Sequence, residues 1–235
     1  NLHLIKDSVV IEGALKKPGL PQINLVNFSC FDEEGWDDLV PPTDGLNVAL
    51  YHGAVFGSKT DSSWELDGEI EHTFFKGFDF TFLGDIHKYQ YLDDTKRIAY
   101  PGSTIQQNFG ETPDKGFLLW DIESRDKFSS NHVPVMHDRP YVTVDWRGNV
   151  PDTVDAADEY PDFSRFRIRT SQAINQGEIK QLYASLKEFK KASEIVMKHD
   201  PPKTNLFVEA LERNPTQDFR DPAVVSKTVI DYYGK

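Results

Sequence analysis

Cysteine is almost absent: Cys30 stands alone in 235 residues, so no disulfide can form within the chain and a stapled secreted scaffold is excluded. Long apolar runs are missing too. None approaches the roughly 20 residues that a membrane-spanning helix needs, which excludes an integral helical membrane protein. Positive charge is in deficit, with 26 Lys+Arg against 38 Asp+Glu and a formal net charge of −12. That sign argues against a basic surface that coats nucleic acid indiscriminately. Aromatics are plentiful, at 12% of the residues, and the length suffices for one large domain or two modest ones with buried cores.

Short β-rich runs dominate the first half. Val9–Ile11 and Ile23–Phe31 are separated by Gly and Pro breakers. Residues 32–38 are acidic and read as a turn with a short helix. Leu46–Tyr51 is a short apolar run that ends in His52-Gly53, the profile of a buried strand. A helix is predicted over 68–76, followed by a strand at Phe78–Leu83 that runs straight into Gly84-Asp85-Ile86-His87. Strands at 97–100, 116–122 and 127–135 follow, and the opening residues 1–6 also read as strand.

The turn-rich segment Met136–Pro140 marks a domain boundary. Beyond it, Tyr141–Trp146 and Phe166–Thr170 alternate with period two. Residues 151–160 read as a short helix starting at Pro151. Residues 175–192 place Ile179, Leu182, Tyr183, Leu186 and Phe189 on one helical face, with Asn175 as N-cap and Glu178 as its capping-box partner. With a last strand at Ile195–Met197, the order β-α-β-α-β describes a small α+β module. The C-terminal stretch 224–233 reads as a helix or an extended arm. Neither end has the character of a natural terminus, and the expectation is a fragment of a longer protein.

Two apolar strands thus end in Gly-containing polar clusters that carry histidine. Ligands commonly bind at the carboxyl ends of strands in α/β sheets, where loops open around a crevice. Imidazole beside carboxylate suits a divalent transition metal. His52, Asp85 and His87 are therefore the candidate ligands, while His3, His72, His132, His137 and His199 lack carboxylate partners at useful spacing.

Read together, the segments form an ordered set: His52-Gly53, Leu83-Gly84-Asp85-Ile86-His87-Lys88-Tyr89-Gln90, Ile98-Ala99-Tyr100-Pro101-Gly102-Ser103-Thr104, Phe109-Gly110-Glu111 and Lys115-Gly116-Phe117. This order resembles the calcineurin-like metallophosphoesterases, and among them the SbcD-type DNA double-strand-break repair nucleases, from about Leu46 to Ile122. The module at 141–200 resembles that family's capping domain.

The resemblance implies an α/β fold: the later half of a metallophosphoesterase β-sandwich flanked by helices over 1–138, a small α+β capping, DNA-binding domain over 139–200, and a C-terminal extension over 201–235. It implies hydrolysis of DNA phosphodiesters, in exo- or endonuclease mode, by two manganese ions, with magnesium as the alternative. His52 and Asp85 would bind one ion and His87 the other. Lys88 would meet phosphate charge, and Ser103 and Gln106 would contact substrate near the scissile strand. The implied partners are DNA, an SMC-like ATPase and a second copy of the subunit, with no membrane, in an intracellular, cytoplasmic and nucleoid-associated setting.

Two departures bear on this. Asp85 stands where the family pattern has histidine, which favours a harder ion. The family's earlier motifs, Asp-x-His, Gly-Asp-x-x-Asp and Gly-Asn-His, do not occur in order. Three ligands shared between two ions hold them weakly, so the chain alone is expected to be a poor or inactive nuclease. The alternatives are a phosphatase or phosphodiesterase of the same superfamily, or a non-catalytic interaction domain.

Overall fold

A computed structural model describes residues 4–200. Among these residues, eleven strands and two α-helices make a mixed α/β structure with three sheets. Six strands form the first sheet, in the order β1-β2-β3-β4-β6-β5: β1 (Val9–Leu15), β2 (Ile23–Phe28), β3 (Leu46–His52), β4 (Phe80–Gly84), β5 (Gln90–Tyr91) and β6 (Ile98–Tyr100). Its interior pairs β2·β3, β3·β4 and β4·β6 are parallel, and the edge strands β1 and β5 run antiparallel to their neighbours.

A parallel interior demands cover on both faces, and the continuous apolar run of β3 supplies it. Ala49 and Tyr51 join one core with Val26, Phe28, Leu83 and Tyr100. Leu46, Val48 and Leu50 point the other way, to a core with Phe80 and Phe82. The hairpin β7 (Gly116–Ile122) and β8 (Phe128–Pro134) covers that second face, with Trp120 and Phe128 set edge-on to Phe80. On the first face Phe28 is surrounded edge-on by Trp36, Phe74, Phe75 and Phe78, a geometry that aromatic quadrupoles favour.

The last part of the described chain is β9 (Tyr141–Asp145), α1 (Val150–Ala157), β10 (Arg165–Thr170), α2 (Gln176–Phe189) and β11 (Glu194–His199). It has its own core, built from Val142, Val144, Phe166, Ile168, Leu182 and Leu186 among others. Asn175 caps α2 by accepting from the Glu178 N–H at 2.9 Å, and Asn149 does the same for α1 with Asp152 at 2.9 Å.

Several expectations need correction. The three strands of this module pair only in parallel, in the order β11-β10-β9, so it is a small α/β unit rather than α+β. Helices crossing between parallel strands impose that arrangement. No α-helix flanks the larger sheet among the described residues; only two 3-10 turns do, Glu33–Asp38 and His72–Gly77. The helix predicted over 68–76 shrinks to the second of these, because Ile70 bridges to Val55 and holds that stretch extended. Residues 4–6 carry no strand. Residues 1–3 and the arm at 201–235 lie outside the described residues. No helix of the described residues is long and apolar enough to cross a membrane.

Candidate metal centre

Strands β3 and β4 run side by side and parallel, with His52 opposite Gly84. Their carboxyl ends therefore open at the same edge of the sheet. The next residue, Asp85, leaves β4 with φ +88°, a conformation an L side chain adopts at a cost. Its Oδ1 stands 3.9 Å from His52 Nε2. The His52 ring lies over Gly84, where a Cβ would come within 2.6 Å of Nδ1, so the glycine makes room for the imidazole. Both groups are open to solvent, at 71% and 50% side-chain exposure.

His87 is held differently. Its Nδ1 lies 2.9 Å from Glu111 Oε1. The Glu111 carboxylate is 8% exposed, and it also accepts from the Gln107 N–H at 3.0 Å and from Asn108 Nδ2 at 3.1 Å. Lys115 Nζ lies 3.0 Å from the same carboxylate, donates to Asp61 Oδ2 at 2.7 Å and reaches the His87 carbonyl at 3.1 Å. At 1% exposure, this ammonium uses all three of its donors on protein oxygens. Burial pushes the Glu111 carboxyl up, but the hydrogen bonds from His87, Gln107 and Lys115 outweigh it and hold the group below its ordinary value.

The segment after β6 frames this arrangement. The Tyr100 hydroxyl donates to the Gly53 carbonyl at 2.6 Å and accepts from the Val55 N–H at 2.9 Å, which pins the loop after His52. Burial raises that phenol to about 12, so it stays a donor at any ordinary pH. Gly102, at φ +78°, lets the backbone pack against His87 and Tyr89; a Cβ there would lie 2.9 Å from the Tyr89 nitrogen. The Ser103 N–H then donates to the His87 carbonyl at 3.2 Å.

Of the candidate residues, His52 and Asp85 come together, while His87 is engaged by Glu111. Lys88 is half-buried, and its carbonyl accepts from Gln90 Nε2 at 3.2 Å. The Ser103 hydroxyl donates to the Ile105 carbonyl at 2.8 Å. Gln106 is not placed to touch substrate. It is 6% exposed, and both ends of its amide are committed: Nε2 donates to the carbonyls of Glu111 (3.0 Å) and Tyr141 (3.3 Å), and Oε1 accepts from the Tyr141 N–H (3.1 Å). It is a joint between the loop and β9. Arg167 strengthens that joint by donating to the Phe109 carbonyl at 3.0 Å and lying over the Phe109 ring.

Sequence reasoning passed over Glu111, Lys115 and Asp61 as functional residues. The first two sit inside the ordered motifs and carried that signal. Asp61, in a polar loop, carried none.

The donor chemistry fits one side of a divalent-metal site: an imidazole and a carboxylate 3.9 Å apart, with a second imidazole nearby in sequence whose Nε2 is not used by Glu111. The number of donors does not close a centre, and among the described residues no group of three or more His, Cys, Asp or Glu is arranged to hold a metal ion.

A cavity of about 370 Å³ lies elsewhere, at the carboxyl ends of β9 and β10, with Asp145, Trp146, Arg169 and Gln172 in its wall. Arg169 donates two hydrogen bonds to Asp145, at 2.6 and 3.0 Å, which hold that carboxyl below its ordinary value.

No family model matches the chain. It is similar to the uncharacterized protein R555 of Acanthamoeba polyphaga mimivirus, with 36% identity over 145 residues, covering 55% of this chain. The matched part spans only 10% of the viral protein's length.

Proposed function

We propose that the chain is part of a metal-dependent phosphodiesterase of the calcineurin-like type, and within it a DNA repair nuclease subunit of the SbcD type. The observation that carries this reading is the convergence of the ordered motifs on one edge of the parallel sheet. His52 and Asp85 meet there, and the Tyr-Pro-Gly-Ser, Phe-Gly-Glu and Lys-Gly-Phe stretches all bear on His87 or on the loop after His52.

In this reading His52 and Asp85 would hold one manganese ion, and His87 Nε2 would help to hold another. When bound, the ions supply Lewis acidity that activates water and offsets charge on the phosphate oxygens. The chain's own contribution is positional. Tyr100 and Gly84 set the His52 ring, Glu111 and Lys115 set the His87 ring, and Lys88 brings a cation next to His87. The remaining metal ligands would have to come from outside the described residues, and in this reading the described part has little or no activity by itself. DNA, an SMC-like ATPase and a second copy of the subunit are its partners within the same proposal.

A non-catalytic interaction domain is the second reading, favoured by the exposed two-donor pair and by the aspartate at position 85. The test is hydrolysis by the full-length parent of this chain. A manganese-dependent cut of a DNA end, lost with His87→Ala and with chelator, supports the nuclease. Preference for p-nitrophenyl phosphate over DNA points to a phosphatase of the same superfamily. Inactivity of the parent on both overturns the enzymatic reading.

A further inference from the structure

His87 is gripped at three points. Lys115 Nζ and the Ser103 N–H both donate to its carbonyl, at 3.1 and 3.2 Å. Glu111 meets its ring at 2.9 Å. An ionised carboxylate only accepts hydrogen bonds. When the imidazole is neutral, the proton must therefore sit on Nδ1, which leaves the lone pair on Nε2. An imidazole in water prefers the opposite tautomer, so this one is imposed by the protein.

We propose that Glu111, braced by Lys115 and Asp61, is a positioning residue that holds His87 as its Nδ1–H tautomer and so presents Nε2 as a ligand. The assignment of a metal to Nε2 rests on the function proposed above, but the tautomer does not. Glu111 cannot turn away, because Asn108 shares Oε1 while Gln107 and Lys115 occupy Oε2. Lys115 is fixed in turn by Asp61. The two carboxylates outnumber the ammonium, so the cluster behind the ring keeps an acceptor for Nδ1–H.

The arrangement makes the Glu111→Gln variant informative. The introduced amide oxygen turns to the charged donor Lys115 and to Gln107, so the NH₂ faces Nδ1, and the exposed Asn108 amide, which donates to Oε1 in the native chain, turns away to solvent. Nδ1 must then accept, and the proton moves to Nε2.

The experiment is a long-range ¹H–¹⁵N spectrum of the full, metal-free chain at alkaline pH. The wild type is expected to show His87 Nδ1 at the protonated end of the nitrogen range and Nε2 at the unprotonated end. In Glu111→Gln the two are expected to exchange places. A wild-type chain with Nε2 protonated overturns the proposal, and this outcome needs no variant to fold. A variant that keeps the Nδ1–H form overturns it as well. Zinc ion is then added to each sample. The Nε2 resonance of the wild type should shift, and the variant should need about 10–100-fold more zinc for the same change. If zinc leaves Nε2 unmoved while the wild type shows the expected tautomer, the metal-site reading fails and the positioning role of Glu111 stands.

Discussion

Replacing Lys115 with Met keeps much of the side chain's volume and removes its charge, which isolates the electrostatic role of the ammonium. In the native structure Lys115 is 1% exposed and lies 2.7 Å from Asp61 and 3.0 Å from Glu111, whose side chains are 7% and 8% exposed. Removing one partner of a buried ion pair costs about 3–5 kcal/mol, because the remaining charge is stranded. Glu111 retains the donors His87, Gln107 and Asn108, and Asp61 retains the Thr112 hydroxyl at 3.1 Å. The lower end, about 3 kcal/mol, is therefore expected. With an m-value of about 2 kcal/mol/M in urea, the unfolding midpoint should fall by about 1.5 M. Circular dichroism through a urea series measures it. Adding Asp61→Asn to Lys115→Met should recover about 1 kcal/mol or more, since the neutral amide leaves no stranded charge at position 61. A midpoint change below about 0.3 M in the single variant refutes the reasoning, and so does a double variant less stable than the single.

Gly84→Ala places a Cβ 2.6 Å from His52 Nδ1, and the solvent-exposed ring can swing away. Stability should change by less than about 1 kcal/mol, while the His52 imidazole resonances move and zinc no longer perturbs them together with Asp85. Gln106→Ala orphans the N–H and carbonyl of Tyr141. It should cost about 1–3 kcal/mol, and hydrogen exchange at the Tyr141 amide should quicken. Asp145 has a folded-state pKa below its unfolded value of about 3.9 because Arg169 hydrogen-bonds it. Its contribution to stability is therefore present above that unfolded value and disappears as pH falls through the folded one. Acid unfolding of the module that holds β9–β11 should be flatter in Asp145→Asn; an unchanged acid limb would contradict the pairing.

Much of the framework is legible in the sequence because its signals are local. The apolar run Leu46–Tyr51 yields a strand buried on both faces, and the alternation of Phe166–Thr170 yields β10. The cap at Asn175 and the helical face through Leu182 and Leu186 both appear as the pattern requires. Where the local signal is weak or contested, the tertiary setting prevails. Gln90–Tyr91 is too short to show periodicity, yet it pairs with β6. Ile70 suits a helix, yet its bridge to Val55 holds it extended. The parallel course of β9, β10 and β11 follows from two helical crossovers and shows in no single segment.

The candidate site divides in the same way. The sequence by itself determined that His52, Asp85 and His87 follow apolar strands through glycines, because strand, turn and polar cluster are contiguous. It could not determine what each histidine touches. Gln106 lies on the loop after the strand at 97–100, where the resemblance implied a substrate contact, and only the folded chain makes it a clasp on Tyr141, 35 positions away. Asp61 and Lys115 are 54 positions apart, and nothing in either neighbourhood announces the other. Asp61 lies on the loop after His52 that Tyr100 pins at Gly53 and Val55, and Lys115 carries that loop's contact on to Glu111 and the His87 carbonyl. Backbone periodicity acts over a few residues, whereas a buried charge needs its partner wherever the chain brings one.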